Sequence, residues 1–165
     1  MSPSPFTIRP LDDRDRAWVL GVVQEWGADF VVSRGRRIYA ARLPGFCAMG
    51  PDGESLGLAT YEVTGDQCQL VTVHALRRHS GVGTALVGAV RDAAEAESCR
   101  RLWLITTNDN LDALRFYQRR DFELVAVHRD LREVARRLKP SIPLIGNFGI
   151  PIRDEIELEL RLDAY

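Results

Sequence analysis

The sequence is almost without lysine: Lys139 is the only one among the 22 basic side chains of a 165-residue chain. Its positive charge is therefore nearly all arginine, a group that grips phosphate or carboxylate through two parallel hydrogen bonds. Cysteine is scarce as well. Cys47, Cys68 and Cys99 are widely spaced, fit no metal-ligand pattern and cannot all pair within one chain, so free thiols in a reducing cytoplasm are expected. No stretch approaches the roughly 20 apolar residues of a membrane-spanning helix. The opening MSPSPFTIRPLDD has no apolar segment behind a basic start, and a cytoplasmic protein, neither exported nor inserted, is the expectation. Neither sign of charge dominates. With 22 basic and 23 acidic side chains the net charge is -1, which offers no global attraction to nucleic acid or to a membrane surface.

What is present is an ordinary globular composition, 45% hydrophobic and 27% charged, in a chain long enough for one domain with a sizeable core. Residues 6–11 read as a short strand, followed by a helix over 12–26 that Asp12 or Asp13 caps and whose apolar positions include Trp18, Val19, Val22, Val23 and Trp26. A meander of strands is expected over 38–42, 46–49, 55–63 and 67–74, because Pro44-Gly45, Pro51-Asp52-Gly53 and Thr64-Gly65-Asp66 separate them with turn chemistry. From 82 to 97, Val82, Leu86, Ala89, Val90 and Ala93 recur at helical spacing. A buried strand over 101–107 follows. Asn108-Asp109-Asn110 then offers caps to a helix running to about 120, and residues 122–127 form another strand. At 155–162 charged and apolar residues alternate, the mark of a strand with one buried face. The connection over 128–154 is long, apolar in part and rich in proline, and long ordered connections are usually functional.

The segment with most chemical content is Arg77-Arg78-His79-Ser80-Gly81-Val82-Gly83-Thr84, between a strand and a helix. Two glycines one residue apart let the chain turn sharply and aim backbone N–H groups at one spot before the helix N-terminus, which suits phosphate. It is not a P-loop, since its basic residues precede the glycines, and Leu86 stands where a dinucleotide fingerprint needs a small residue. Alone, such a turn could simply start a helix. A second segment follows one strand later: Asn110-x-x-Ala113-x-x-Phe116-Tyr117, with Phe122 beyond it.

Arg78-x-x-Gly81-x-Gly83 resembles the acyl-CoA pyrophosphate loop of the GNAT superfamily of N-acyltransferases, and the segment from Asn110 to Phe122 resembles that superfamily's later motif. Asp121 departs from the pattern, which usually has glycine there, so a local backbone cost at a positive φ is expected. The resemblance implies an α/β fold with a mixed, mainly antiparallel sheet splayed at its centre and helices on both faces. It also implies acetyl transfer from acetyl-CoA, with no metal, to a primary amine by direct attack in a ternary complex. Residues Arg78, His79, Ser80, Gly81, Val82, Gly83 and Thr84 would hold the pyrophosphate. Backbone groups around Val71 and Val73 would pair with pantetheine, and the Val73 amide would stabilise the oxyanion. Asn110 reads as a helix cap, as a ligand of the pantetheine arm, or as both.

Tyr117 is the candidate general acid, a phenol of reference pKa ~10 facing a thiol of ~8.5, and its bland reading is a core tyrosine. The general base is less marked, because Gln67 and Gln69 occupy the strand positions where a base is common and cannot accept a proton near neutrality. Glu62, Asp66 and His74 remain. Glu62, acting through water, joins Tyr117 as the catalytic candidate, and it reads equally as a solvated strand residue. The cysteines read as structural. The acceptor is expected to be a small-molecule or peptide amine, entering between the 12–26 helix and the 128–154 insert, which Leu131, Val134 and Leu138 pack onto the sheet. No nucleic-acid or membrane partner is expected, and a homodimer stays open. The alternative is a binding module of the same fold that holds acyl-CoA without turning it over.

Overall fold

The protein is described from a computed structural model that covers residues 5–77, 80–129 and 131–163, without the side chain of Arg132. In chain order the elements are β1 (Thr7–Pro10), α1 (Arg16–Gln24), β2 (Val31–Ser33), β3 (Arg36–Ile38), β4 (Gly45–Met49), β5 (Ser55–Thr64) and β6 (Gln67–Ala75). They continue with α2 (Val82–Ala96), β7 (Arg101–Thr107), α3 (Leu111–Gln118), β8 (Glu123–His128) and β9 (Glu155–Arg161). Seven strands form one sheet in the order β1-β4-β5-β6-β7-β9-β8, and β2 and β3 form a separate hairpin. All sheet pairings are antiparallel except that of β6 with β7.

That parallel pairing is short. It runs over Gln67, Cys68 and Gln69 against Arg101, Leu102 and Trp103, after which β6 continues to Ala75 and β7 to Thr107 without a described partner on that edge. The sheet is thus mixed, mainly antiparallel and splayed at its centre, with helices on both faces. On one face α2 buries Val82, Leu86, Val87, Val90 and Ala94 against Cys68, Leu70, Leu102, Leu104 and Leu158. On the other, Val19, Val22 and Val23 of α1 pack on Leu58 and Ala40. Gly57 permits the close approach of α2, since a Cβ there would lie 2.8 Å from Val82 Cγ1 and 2.5 Å from the His74 carbonyl oxygen.

A bulge in β6 sets which side chains face which side. Thr60 pairs with Thr72 and Tyr61 with Leu70, leaving Val71 as the extra residue. Period-two alternation would put Val71 and Val73 on one face. Instead Val71 packs with the α1 cluster while Val73 and Ala75 pack on the α2 side, as a bulge requires. His74 consequently faces α1, where its ring meets the edge of Trp26 at 6.3 Å.

Several local expectations need correction. Residues 38–42 do not form a strand: β3 ends at Ile38, and Ala40–Arg42 is a 3-10 turn. The first helix begins as a 3-10 turn over Asp13–Asp15, with Asp12 as its cap in a reciprocal capping box with Asp15. The β2–β3 hairpin was not anticipated. Within the insert, Leu131 is buried with Ala135 and Ile152, whereas Val134 is exposed. A Cβ on Gly35 at the hairpin turn would lie 3.1 Å from Val134 Cγ1, so Val134 approaches the hairpin and is not part of the buried cluster.

Candidate active site

The splay opens on the α2 side into a cleft of about 720 Å³, walled by Val73 and Ala75 of β6, by Ser80, Gly81, Gly83 and Thr84, and by α3. Gly81 is the residue before α2, with φ +83° and ψ -6°, and its carbonyl accepts the first helical bond from the Ala85 amide at 3.0 Å. No side chain caps this end among the described residues. The amides of Val82, Gly83 and Thr84 therefore have no partner within the helix, and a 15-residue helix adds its positive end to the same spot. Arg77, Arg115, Arg119 and Arg120 line the cleft as well. The result is a basic, donor-rich surface suited to a polyphosphate. Arg78 and His79 lie outside the described residues.

Arg120 locks the two helices that form this wall. Its Nε and Nη2 donate to Thr84 Oγ1 at 2.9 and 2.6 Å, its Nη1 donates to the Phe116 carbonyl at 2.8 Å, and its guanidinium lies 3.7 Å from the Phe116 ring centroid. Sequence reading singled out neither this contact nor the role of Phe116. The i,i+4 spacing of the two residues was the available signal. Gly83 belongs to the same wall, since a Cβ there would meet Phe116 at 3.4 Å, ordinary contact distance.

Tyr117 also lines the cleft, its ring edge-on to Phe116 at 5.0 Å and to Phe122 at 5.3 Å. Burial pushes its phenol well above the ordinary tyrosine value, with Arg120 opposing the shift. Its hydroxyl has no hydrogen-bond partner among the described residues. Asn110 caps α3 by accepting from the Ala113 amide at 3.2 Å, as its position predicts. Asn108 and Asp109 do something else. Asp109, 2% exposed, accepts from Thr107 Oγ1 at 2.5 Å and from the Asn147 backbone at 2.9 Å, while Asn108 binds the backbone of Pro151, Arg153 and Asp154. Both hold the insert against the end of β7. Asp121 has φ +69°, in the region where non-glycine residues carry a strain of ~1 kcal/mol or more.

Glu62 lies elsewhere. It pairs with Gln69 across β5 and β6 on the α1 face, in a second cleft of about 460 Å³ shared with Ser33, Arg36 and Trp103. Both its carboxylate oxygens accept from Arg36, at 3.0 and 3.1 Å. The β2–β3 hairpin that carries Arg36 turns at Arg34 and Gly35, with φ +50° and +75°, and crosses this face of the splay. Gln69 Nε2 donates to Ser33 Oγ at 2.8 Å, and the Arg34 amide donates to Glu155 at 3.1 Å. The hairpin is thus tied to β5, β6 and β9. Asp66 is placed instead at the far end of β6, beside Arg100.

The three cysteines are buried and free. Burial raises the thiol pKa of each, that of Cys68 to about 12, so none is a thiolate near neutrality. Native protein is accordingly expected to react with fewer than one equivalent of an aromatic disulfide reagent in the time that unfolded protein consumes three. Rapid labelling of the native protein would contradict this burial. Among the described residues no group of three or more His, Cys, Asp or Glu is placed to hold a metal ion. No helix there is long and apolar enough to cross a membrane.

Comparison with known proteins agrees with this geometry. The acetyltransferase (GNAT) family matches residues 12–122. The uncharacterized protein YdhI of Bacillus subtilis (strain 168) is 39% identical over 133 residues, 81% of this chain and 83% of that protein. Among solved structures, a Bacillus subtilis acetyltransferase in complex with CoA superposes with a TM-score of 0.70 at 20% identity, covering 95% of this chain and 99% of that one. A GNAT family acetyltransferase from Elizabethkingia anophelis with acetyl-CoA bound gives 0.71 at 16% identity, covering 97% and 100%. These last two speak for the fold, and the family match and the curated relative for descent: the chain belongs to the GNAT acetyltransferase family.

Proposed function

We propose that residues 1–165 form one N-acetyltransferase domain that moves the acetyl group of acetyl-CoA to a primary amine by direct attack in a ternary complex. The observation that carries the reading is the pair of clefts on opposite faces of one splay. An uncapped helix N-terminus and four arginines line the cleft on the α2 side, and the other lies beneath the hairpin. The amides at the start of α2 bind the pyrophosphate, together with Ser80, Thr84 and the loop residues Arg78 and His79. Asn110, Val71 and the Val73 backbone hold the arm that leads to the thioester, and the Val73 amide stabilises the developing oxyanion.

Acetyl-CoA supplies an activated carbonyl and a thiolate leaving group. Tyr117 donates its proton to that thiolate. For reference values of ~10 and ~8.5 the transfer costs about 2 kcal/mol. Burial raises the phenol further, and it equally disfavours an unprotonated thiolate released into the same cleft. The amine must lose a proton on the opposite face. Glu62 receives it through water, held in place by Arg36.

Because both Glu62 oxygens are held by Arg36, the carboxylate reaches the amine only through water and its effect is modest. Glu62→Gln is expected to lower kcat about tenfold, less than loss of a full acid or base, with acetyl-CoA affinity unchanged. Unaltered kcat would move the base to His74. Function itself is tested by CoA release from acetyl-CoA against amino acids, polyamines, aminoglycosides and peptide N-termini. Gln69 spends its amide on Ser33, so nothing in β6 before the bulge acts as a base, which is the feature that favours the non-catalytic alternative. Tight acetyl-CoA binding without release by any acceptor would select that alternative.

A further inference from the structure

The single lysine stands where the insert meets the end of α1, and its ammonium has no partner among the described residues. Lys139 is only 9% exposed, and its ammonium makes no ion pair or hydrogen bond among the described residues. Its backbone is fully used, donating to Ala135 O at 2.8 Å and accepting from the Ile142 amide at 3.2 Å, so the residue is fixed in place. Three arginines make contacts elsewhere: Arg36 with Glu62, Arg101 with Glu157 and Glu159, and Arg136 with the carbonyls of Pro143 and Ile152. The Lys139 stem is buried while the ammonium at the tip keeps contact with solvent. Burial accordingly lowers the Lys139 pKa from its ordinary value, and no neighbouring carboxylate opposes that shift. Glu25 and Asp29, the acidic residues nearest Gly27 in the chain, are exposed and form no ion pair with it.

Lys139 lies where the insert meets the end of α1. The Lys139 stem runs along Gly27, where an added Cβ would lie 3.7 Å from Lys139 Cε and 2.6 Å from Ser141 Oγ. Ser141 Oγ donates to the Gly27 carbonyl at 3.1 Å, joining the insert to the end of α1. Trp26, next in the chain and 39% exposed, meets His74 edge-on. The neighbours of His74 on β6, Val73 and Ala75, wall the other cleft. Lys139, Ser141, Trp26 and His74 thus follow one another from the insert to the splay.

We infer, building on the transfer reaction proposed above, that Lys139 binds a carboxylate carried by the acceptor, so that the amine acetylated belongs to an amino acid or a similar amino-carboxylate. One ammonium matches a singly charged carboxylate. A phosphate dianion calls for several donors, usually forked arginines.

A sole lysine makes the test direct. Protein labelled with 13C at lysine Cε gives one lysine resonance, whose pH titration reports the Lys139 ammonium alone. Each of the common L-amino acids and its carboxamide would be added in turn. At least one amino acid is expected to move the titration midpoint upward, because a bound carboxylate favours the charged ammonium, while its carboxamide leaves the midpoint in place. The same amino acid is expected to be acetylated with a KM at least tenfold below that of its amide. Lys139→Met should erase that preference and change the acetyl-CoA KM by less than twofold. If no amino acid moves the resonance, or Lys139→Met keeps the preference, the inference is wrong. A shifted resonance with no CoA released by any acceptor would instead uphold the carboxylate site and overturn the transfer reaction.

Discussion

Tyr117→Phe is expected to bind acetyl-CoA as the parent does and to turn over about 10²-fold more slowly or worse, the usual scale of acid catalysis. The substitution is clean for a structural reason. A phenylalanine ring keeps the edge contacts to Phe116 and Phe122, and the hydroxyl it loses has no described hydrogen-bond partner to leave stranded. The pH profile supplies a second readout. An acid must be protonated to work, and burial holds this phenol above its ordinary value, so the alkaline limb due to Tyr117 lies above pH ~10. A limb near pH 8 that persists in Tyr117→Phe belongs to another group. Unchanged kcat in that variant would remove Tyr117 from the chemistry.

Gly83→Val is expected to act on binding instead. Gly83 is the second residue of α2 with an ordinary helical backbone, and its added Cβ would only touch Phe116 at 3.4 Å, so folding should survive. The γ-methyl groups, however, would enter the cleft where the amides of Val82, Gly83 and Thr84 point. Losing two hydrogen bonds to a charged group, at roughly 1.5–3 kcal/mol each, weakens binding by more than about 100-fold. Calorimetry with acetyl-CoA, alongside a thermal melt close to that of the parent, would register this. Parent-like affinity would show that the start of α2 does not hold the pyrophosphate.

The parts of this fold that were legible in the sequence are those where periodicity and turn chemistry act locally. The spacing of Val82, Leu86 and Val90 marks α2, and the alternation from Glu155 to Leu162 marks β9, because each pattern reports a single buried face. The turn before α2 was legible for a related reason: Gly81 adopts φ +83°, and the glycine is visible before its conformation is. Asp121, at φ +69°, likewise occupies the position where the family pattern has glycine.

What was not legible depends on tertiary placement. The hairpin has strands of three residues, too short for a pattern, and its turn shows only Gly35 as a signal. The pairing of Arg36 with Glu62 joins residues 26 apart, so the carboxylate that alternation exposes is in fact clamped. The bulge at Val71 has no sequence mark at all, yet it turns Val73 and Ala75 into the cleft and His74 away from it. Asn108 and Asp109 look like helix caps because their side chains favour caps, and the insert claims them instead.

The most direct measurement is CoA release from acetyl-CoA by the intact protein with each acceptor class, followed by the mass of the acceptor. Transfer to an amine predicts stoichiometric CoA and an acceptor heavier by one acetyl group, in a reaction that Tyr117→Phe slows about 10²-fold. Saturable acetyl-CoA binding with no CoA released above the buffer rate by any amine would contradict it.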